Sequence, residues 1–300
     1  KRPRAADLDE SSQEVLDVAI EVYRCRIATL DPFPSHLSES MSAQVAWETA
    51  CDIAGMELNF TRDIRKLLLA CTAHMRGELK TKARPLVEGM YGFESSSRPA
   101  TIARNRCHVK HLKNDSNFTY RVDFPSLLSR SGIFQHKIIQ KLINSMWYHG
   151  TQDEGVVYGD EFFKPFSLCA LALVLTAIEA AIDEWESGIW RSIDFKAQTY
   201  KSVYVRHLNS LLKFADSEKD SAQEFMHALQ TTLAENGRYV CDRILLLITL
   251  HLNVTRFNAG ALEDVGHSDV DGITADAFDA ALEEFETMGG LSSDVSDDDG

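Results

Sequence analysis

One apolar stretch, residues 163–188, stands out in the hydrophobic pattern of this 300-residue chain. Pro165 lies near its start and Gly188 near its end, and both residue types are typical of helix boundaries at those positions. Its apolar run is short for a bilayer span, contains Glu179, and is followed directly by acidic residues. The pattern therefore predicts a buried central helix and not a membrane helix.

Amphipathic patterns on both sides predict further helices that pack around the central one. The clearest of them begins at Thr61 and reaches about Tyr91, and Pro85 should kink or interrupt it. Its outer face is predicted to be basic, with Arg62, Arg65, Lys66, Arg76, Lys80, Lys82 and Arg84. Gly237 should separate two later helices. The predicted helices begin or lie near residues 12–29, 40, 61–91, 134–148, 163–188, 194–214, 221–234 and 239–254, with a short strand at 118–124.

These elements predict an all-α fold, a multi-helix globular bundle around one central apolar helix. The helical domain is expected to span residues 11–256, after a polar leader at 1–10. Residues 92–104 are rich in Ser, Gly and Pro and predict a mobile loop. Residues 257–300 predict an acidic, mostly disordered tail.

Charge is unevenly distributed along the chain, whose net charge is −14. Residues 261–300 hold 13 acidic residues and no Lys or Arg, whereas residues 61–147 hold 16 basic and 6 acidic residues, a balance of +10. A basic middle of this kind can serve a polyanion, and an acidic tail can compete for the same surface.

Six cations in the basic middle are the candidate nucleic-acid-binding residues. Phe118 and Tyr120 lie among them in a segment interpreted as irregular, which suits phosphate contacts and base stacking. No named nucleic-acid-binding module is recognisable, and a solvated charged face is the alternative interpretation. The six are Arg98, Arg104, Arg106, Lys110, Lys113 and Arg121.

The tail contains a second candidate interaction segment at residues 273–291. Phe278, Leu282 and Phe285 share one side of a helical pattern among acidic residues. Segments of this composition often fold in the groove of a protein partner. The alternative is a solubilising tail with incidental apolar residues.

Glu179 and Asp183, one turn apart on the predicted central helix, are the candidate acidic pair. His207, on the apolar face of the next helix, is positioned to meet them, either in a ligand pocket or as an interhelical hydrogen bond. Cys107, His108 and His111 form half of a zinc-site spacing without a second half, so no metal and no cofactor are assigned.

Four phrases in the sequence resemble a known family: RGELKTKARPLVEGMYGF, FQHKIIQKLINSMWYHG, EGVVYGDEFFKPFSLCALALVLTAIEAAIDEWESG and IDFKAQTYKSVYVRHLNSLLKF. They resemble the uncharacterised domain of unknown function 6532 family, abundant in mushroom-forming fungi, over about residues 62–254. The resemblance implies an α-helical domain and a basidiomycete source. It implies no activity and no catalytic residue.

The segregated charge favours a non-enzymatic interaction protein whose basic middle contacts nucleic acid or another polyanion and whose tail recruits a protein partner. The alternative is an enzyme or small-ligand binder with an interhelical pocket near Glu179, Asp183 and His207. A third hypothesis is a self-associating structural domain, for which exposed apolar helix faces would be the sign.

The expected location is intracellular. The six cysteines are widely spaced without a Cys-x-x-Cys pair, and no signal peptide is recognisable. Residues 1–4, KRPR, match the end of a nuclear localisation signal, which favours the nucleus; the alternative is a solvated terminus.

Overall fold

The computed structural model of the chain describes residues 3–121, 130–251, 280, 282–283 and 285–287. Most of these residues are helical and none of them forms a β-strand, so the all-α prediction is confirmed. The helices are α1 (Glu10–Leu30), α2 (His36–Ala54), α3 (Arg62–Tyr91), α4 (Pro99–Lys113), α5 (Lys137–Trp147), α6 (Glu154–Val157), α7 (Leu168–Asp183), α8 (Ala197–Ala215) and α9 (Asp220–His251).

The α7 helix forms the centre of the bundle. Its residues from Ala170 to Ile182 are all buried, and it packs against α1, α3, α4, α5 and α8. The Ser167 hydroxyl accepts a hydrogen bond from the amide of Cys169 and so caps the first turn. Gly188, with φ of +79°, closes the turn that follows the helix. The predicted central helix is therefore confirmed, with narrower bounds. Within the described residues, no helix combines the length and the apolar character needed to cross a bilayer.

The first three long helices begin at capping side chains. Asp9, Ser35 and Thr61 each accept a hydrogen bond from a backbone amide of the first turn. Because Ser35 is the cap, α2 begins earlier than the predicted start near Ser40. The α3 helix runs through Pro85 without interruption, since Pro85 is exposed and water can reach the carbonyl that loses its amide partner.

The α9 helix is continuous, whereas the sequence predicts a break at Gly237. The buried ring of Tyr148 packs on this glycine, where a Cβ atom would lie 2.6 Å from a ring carbon. Gly155 in α6 contacts the same ring, and a Cβ atom there would lie 2.8 Å from it. The predicted break is wrong because Gly237 provides room for an aromatic ring and does not end the helix.

The α8 helix begins later than predicted. Its first residue is Ala197, and Asp194, where the predicted helix begins, lies outside the helix in an exposed ion pair with Lys196. The helix otherwise covers the predicted region and ends at Ala215.

The predicted strand at 118–124 is wrong where it can be compared. Residues 118–119 lie in a short 3-10 turn, Asn114–Thr119. Residues 122–124 lie outside the described residues, as does most of the predicted tail at 257–300.

Candidate functional site

Most of the segment that holds the six candidate cations forms α4 and is not irregular. Pro99 occupies the first turn, where its missing amide costs nothing. Asn105, Val109 and Leu112 recur at helical spacing and are buried. Of the predicted loop at 92–104, only residues 92–98 are non-helical. The interpretation as an irregular segment is wrong because frequent charges hid a narrow apolar stripe.

Three of the six candidate cations are not available on the outer face of α4. Arg104 forms an ion pair with Glu94 at 2.9 Å, and Lys113 forms one with Asp183 at 2.6 Å. Arg121 follows the 3-10 turn and lies outside α4. These ion pairs offset part of the positive charge of the basic middle, at the surface for Arg104 and in a partly buried contact for Lys113.

The other three, Arg98, Arg106 and Lys110, are exposed. Arg98 is the residue that precedes the first turn of α4, whereas Arg106 and Lys110 are four residues apart and so share one face of the helix. The Nε atom of Arg106 donates to the Ser187 carbonyl at 2.8 Å, and its side chain otherwise faces solvent. We call Arg98, Arg106 and Lys110 the α4 cation row.

The cations of α3 do not extend this row. The buried ammonium of Lys80 lies 2.6 Å from a Glu184 carboxylate oxygen, and Arg84 donates two hydrogen bonds to the same carboxylate at 2.7 and 2.8 Å. Arg76 is buried and donates to the Pro32 carbonyl at 2.7 Å. The prediction that these α3 cations form an outer basic face is wrong, because buried acceptors bind them.

Glu184 connects the segment between α7 and α8 to α3 through hydrogen bonds and ion pairs. Its carboxylate also accepts hydrogen bonds from the Trp190 indole at 3.2 Å and from the Ile193 amide at 3.0 Å. Burial alone would raise the pKa of Glu184, but the hydrogen bonds from Arg84 and Lys80 lower it below its ordinary value. Sequence reasoning missed this residue; the available signal was an acidic residue at the end of a long, almost unbroken apolar run.

Glu179 and His207 meet as the sequence predicts. The Glu179 Oε2 atom lies 2.6 Å from His207 Nε2, and the two residues are only 3% and 1% exposed. Arg206 donates to the other oxygen, Oε1, at 2.6 Å. Burial alone would raise the pKa of Glu179, but the hydrogen bond to His207 and the nearby cations lower it to about 2.

Asp183, one turn further along α7, has different partners. Lys113 of α4 contacts its Oδ1 atom at 2.6 Å, and the Tyr200 hydroxyl of α8 donates to its Oδ2 atom at 3.1 Å. Burial raises the pKa of Asp183 more than the positive charge of Lys113 lowers it. Glu179 and Asp183 therefore connect α7 to α4 and to α8.

This arrangement is an interhelical polar contact. Side chains donate to both carboxylate oxygens of Glu179 and to both of Asp183. The edge of Phe118 packs against the His207 ring, with 5.8 Å between ring centroids. The predicted interhelical hydrogen bond between Glu179 and His207 is confirmed. Because Glu179 and His207 are buried, they do not line the solvent-accessible ligand pocket of the alternative prediction.

Cys107, His108 and His111, the half of a zinc-site spacing, lie along α4. Cys107 is exposed, and the His108 ring packs against Phe93 with 5.2 Å between centroids. Over the described ranges, no group of three or more Cys, His, Asp or Glu side chains lies where it could hold a metal ion.

Comparison with known proteins gives a family match. The model of the family described as a domain of unknown function, DUF6532, matches residues 18–214. No curated protein and no solved structure matches the chain. The match begins in α1 and ends in α8, so it starts before residue 62, the predicted beginning, and stops before residue 254. It includes the α4 cation row and the carboxylates of α7. The chain therefore belongs to the DUF6532 family.

Proposed function

We propose that this protein is a non-enzymatic interaction protein that contacts nucleic acid through the α4 cation row. The observation that carries the proposal is the exposure of Arg98 at the start of α4 and of Arg106 and Lys110 on one face of that helix, while other cations of the basic middle are bound internally. A row of outward cations on a rigid helix matches a chain of phosphates.

An exposed aromatic side chain in the segment after α7 supports nucleic acid over other polyanions. The segment after α7 packs tightly on α4, since a Cβ atom on Gly188 would lie 2.2 Å from the Ile102 carbonyl. Two residues further along, Trp190 is 43% exposed, and the guanidinium of Arg84 lies 5.8 Å from its ring centroid. An exposed indole beside a cation suits stacking on a base.

The contacts of Glu179, Asp183 and His207 disfavour the alternative prediction, an enzyme or ligand binder at these residues. A ligand would have to displace buried side-chain partners that already satisfy these carboxylates. Breaking such contacts leaves buried charges unpaired, at a cost of about 3–5 kcal/mol.

The test compares two triple variants of the full chain for binding of a labelled single-stranded oligonucleotide. Replacing Arg98, Arg106 and Lys110 with alanine should weaken binding at least about tenfold at low salt. The control replaces Arg62, Arg65 and Lys66, which are exposed near the start of α3, and removes the same charge. Equal weakening by both variants would overturn the assignment to α4, and so would no binding by the unmodified chain.

We also assign the protein to the inside of the cell, and specifically to the nucleus. Cys25 and Cys51 are buried free thiols and Cys107 is an exposed one, a state that a reducing compartment preserves. The KRPR sequence at 1–4 supports nuclear import. Imaging the full chain with a fluorescent tag tests this assignment. An even distribution in the cell, both of the unmodified chain and of a variant in which KRPR is replaced by alanine, would contradict the nuclear assignment.

A second candidate function, self-association, is supported by the outer face of α2. Leu37, Met41 and Val45 are 72%, 61% and 38% exposed, and their spacing of four residues places them in one stripe. A second copy of the chain could bury this stripe. Sedimentation should then show a dimer that Met41→Glu dissociates and that Ala73→Glu, an exposed change on α3, leaves intact. A monomer at all accessible concentrations would contradict it.

A further inference from the structure

Part of the acidic C-terminal region packs on the helical body. Residues 280, 282–283 and 285–287 are helical, and the Thr287 hydroxyl donates to the Glu283 carbonyl four residues earlier at 2.7 Å. Leu282 is only 3% exposed and belongs to the hydrophobic core, and Phe285 packs against that core. Glu283, Glu286 and Thr287 face solvent. The segment therefore presents an apolar face to the body and a polar face outward.

The receiving surface is centred on Phe225, near the start of α9. The Phe285 ring meets the Phe225 ring edge to face, with centroids 5.4 Å apart and planes at 89°. The Phe225 ring in turn contacts Phe214 of α8 at 5.5 Å, and Phe214 contacts Phe134 at 5.9 Å. A continuous row of aromatic rings thus leads from the C-terminal segment into the core. We call the apolar surface around Phe214 and Phe225, against which Phe285 packs, the α8–α9 groove.

The docked segment has the form of a helical recognition peptide. Leu282 and Phe285 are three residues apart, so they project from the same helix face. Two apolar anchors at this spacing, with charged residues on the other face, are how amphipathic helices bind hydrophobic grooves. Residues 252–279 connect the segment to α9. The connection keeps the segment at a high effective concentration beside the groove without adding a contact.

We infer that the α8–α9 groove is a docking site for an amphipathic helix that presents a leucine and a phenylalanine three residues apart, and that the C-terminal segment that contains Leu282 and Phe285 occupies this site in cis. A partner helix of the same chemistry binds only when it displaces this segment. Its apparent affinity is lowered by the fraction of molecules in which the site is already filled. The C-terminal segment thereby controls access to the groove. This inference is independent of the α4 cation row.

The first experiment measures binding of a labelled peptide spanning residues 273–291 to the full chain. The variant Leu282→Asp/Phe285→Asp should release the segment and bind the peptide at least tenfold more tightly than the unmodified chain does. The matched control Glu283→Gln/Glu286→Gln changes two exposed positions of the same segment and should behave like the unmodified chain. A peptide that carries both aspartates should not bind the released variant.

Equal binding of the peptide by the unmodified chain and by the released variant would overturn the inference, and so would no binding by the released variant. A second measurement requires no substitution. Amide hydrogen exchange of residues 280–287 in the unmodified chain should be at least tenfold slower than in the isolated peptide. It should approach the rate of the isolated peptide when an excess of isotope-labelled peptide is added. Equal exchange rates in the unmodified chain and in the isolated peptide would show that the segment does not dock.

Discussion

Glu179 of α7 and His207 of α8 form a direct side-chain contact, with 2.6 Å between Oε2 and Nε2, in a part of the molecule that is closed to solvent. Arg206 completes the site by binding the other carboxylate oxygen. Because a buried carboxylate without donors is costly, this contact fixes how α8 lies on the central helix. The stability of the fold should therefore depend on the ionisation of Glu179.

The first prediction concerns pH. The pKa of Glu179 in the folded protein is about 2, below its ordinary value of 4.5, so the stabilisation is complete above pH 4.5 and is lost as pH falls through about 2. We expect Glu179→Gln to lower the free energy of unfolding by about 3 kcal/mol at neutral pH. Urea unfolding should show this difference shrinking as the pH is lowered from about 5 to about 2. A difference that does not change with pH would contradict the account.

The second prediction concerns the carboxylate that binds Lys80 and Arg84. Glu184→Gln should lower the free energy of unfolding by about 3–5 kcal/mol, because it leaves a buried ammonium without its counter-charge. Glu94→Gln, which removes the exposed partner of Arg104, should cost less than about 1 kcal/mol. Denaturant unfolding of both variants measures the contrast, and similar losses would show that Glu184 acts as an ordinary surface charge.

The third prediction compares two glycines within helices. Gly77→Ala should stabilise the protein by about 0.5–1 kcal/mol, since a Cβ atom there meets nothing within 4 Å and alanine favours the helix. Gly237→Ala should destabilise it by about 1–3 kcal/mol, because the new Cβ atom would overlap the Tyr148 ring. Thermal unfolding gives both signs. A stabilising effect of Gly237→Ala would mean that the ring is not packed there.

The fourth prediction separates base stacking from charge. Trp190→Ala should weaken binding of a single-stranded oligonucleotide about tenfold, because stacking contributes about 1–3 kcal/mol per base. Binding of heparin, which has no bases, should be unchanged. Ile189→Ala removes a neighbouring side chain of similar exposure and serves as the control. Equal losses for heparin and for the oligonucleotide would assign Trp190 a role other than stacking.

The sequence predicts the features of the fold that depend on local pattern. An almost unbroken apolar run identified α7, because a helix apolar on all sides must be buried. Glu179 and His207 could be paired in advance because each lies on the apolar face of a predicted helix, where a polar group needs a partner. The same rule applies to the buried positions of α4, which are Asn105, Val109 and Leu112. The many charged residues between these positions obscured the buried stripe in the sequence.

Contacts between distant parts of the chain were not predictable. Lys80 and Arg84 bind the carboxylate of Glu184, which lies about 100 residues further along the chain. The periodicity of α3 does not indicate this contact. A cation beside an apolar stripe is usually exposed, so these residues were assigned to an outer face. Gly237 illustrates the same limit, because a glycine that accommodates Tyr148 and a glycine that ends a helix look alike in a sequence.

The most direct test of the proposed function measures oligonucleotide binding by the full chain over a series of salt concentrations. The logarithm of the affinity should fall linearly with the logarithm of the salt concentration. Replacing Arg98, Arg106 and Lys110 with alanine should reduce that slope by about 2, which corresponds to three lost phosphate contacts on a single strand. An unchanged slope in this variant would contradict the account, because the bound phosphates would then lie somewhere other than the α4 cation row.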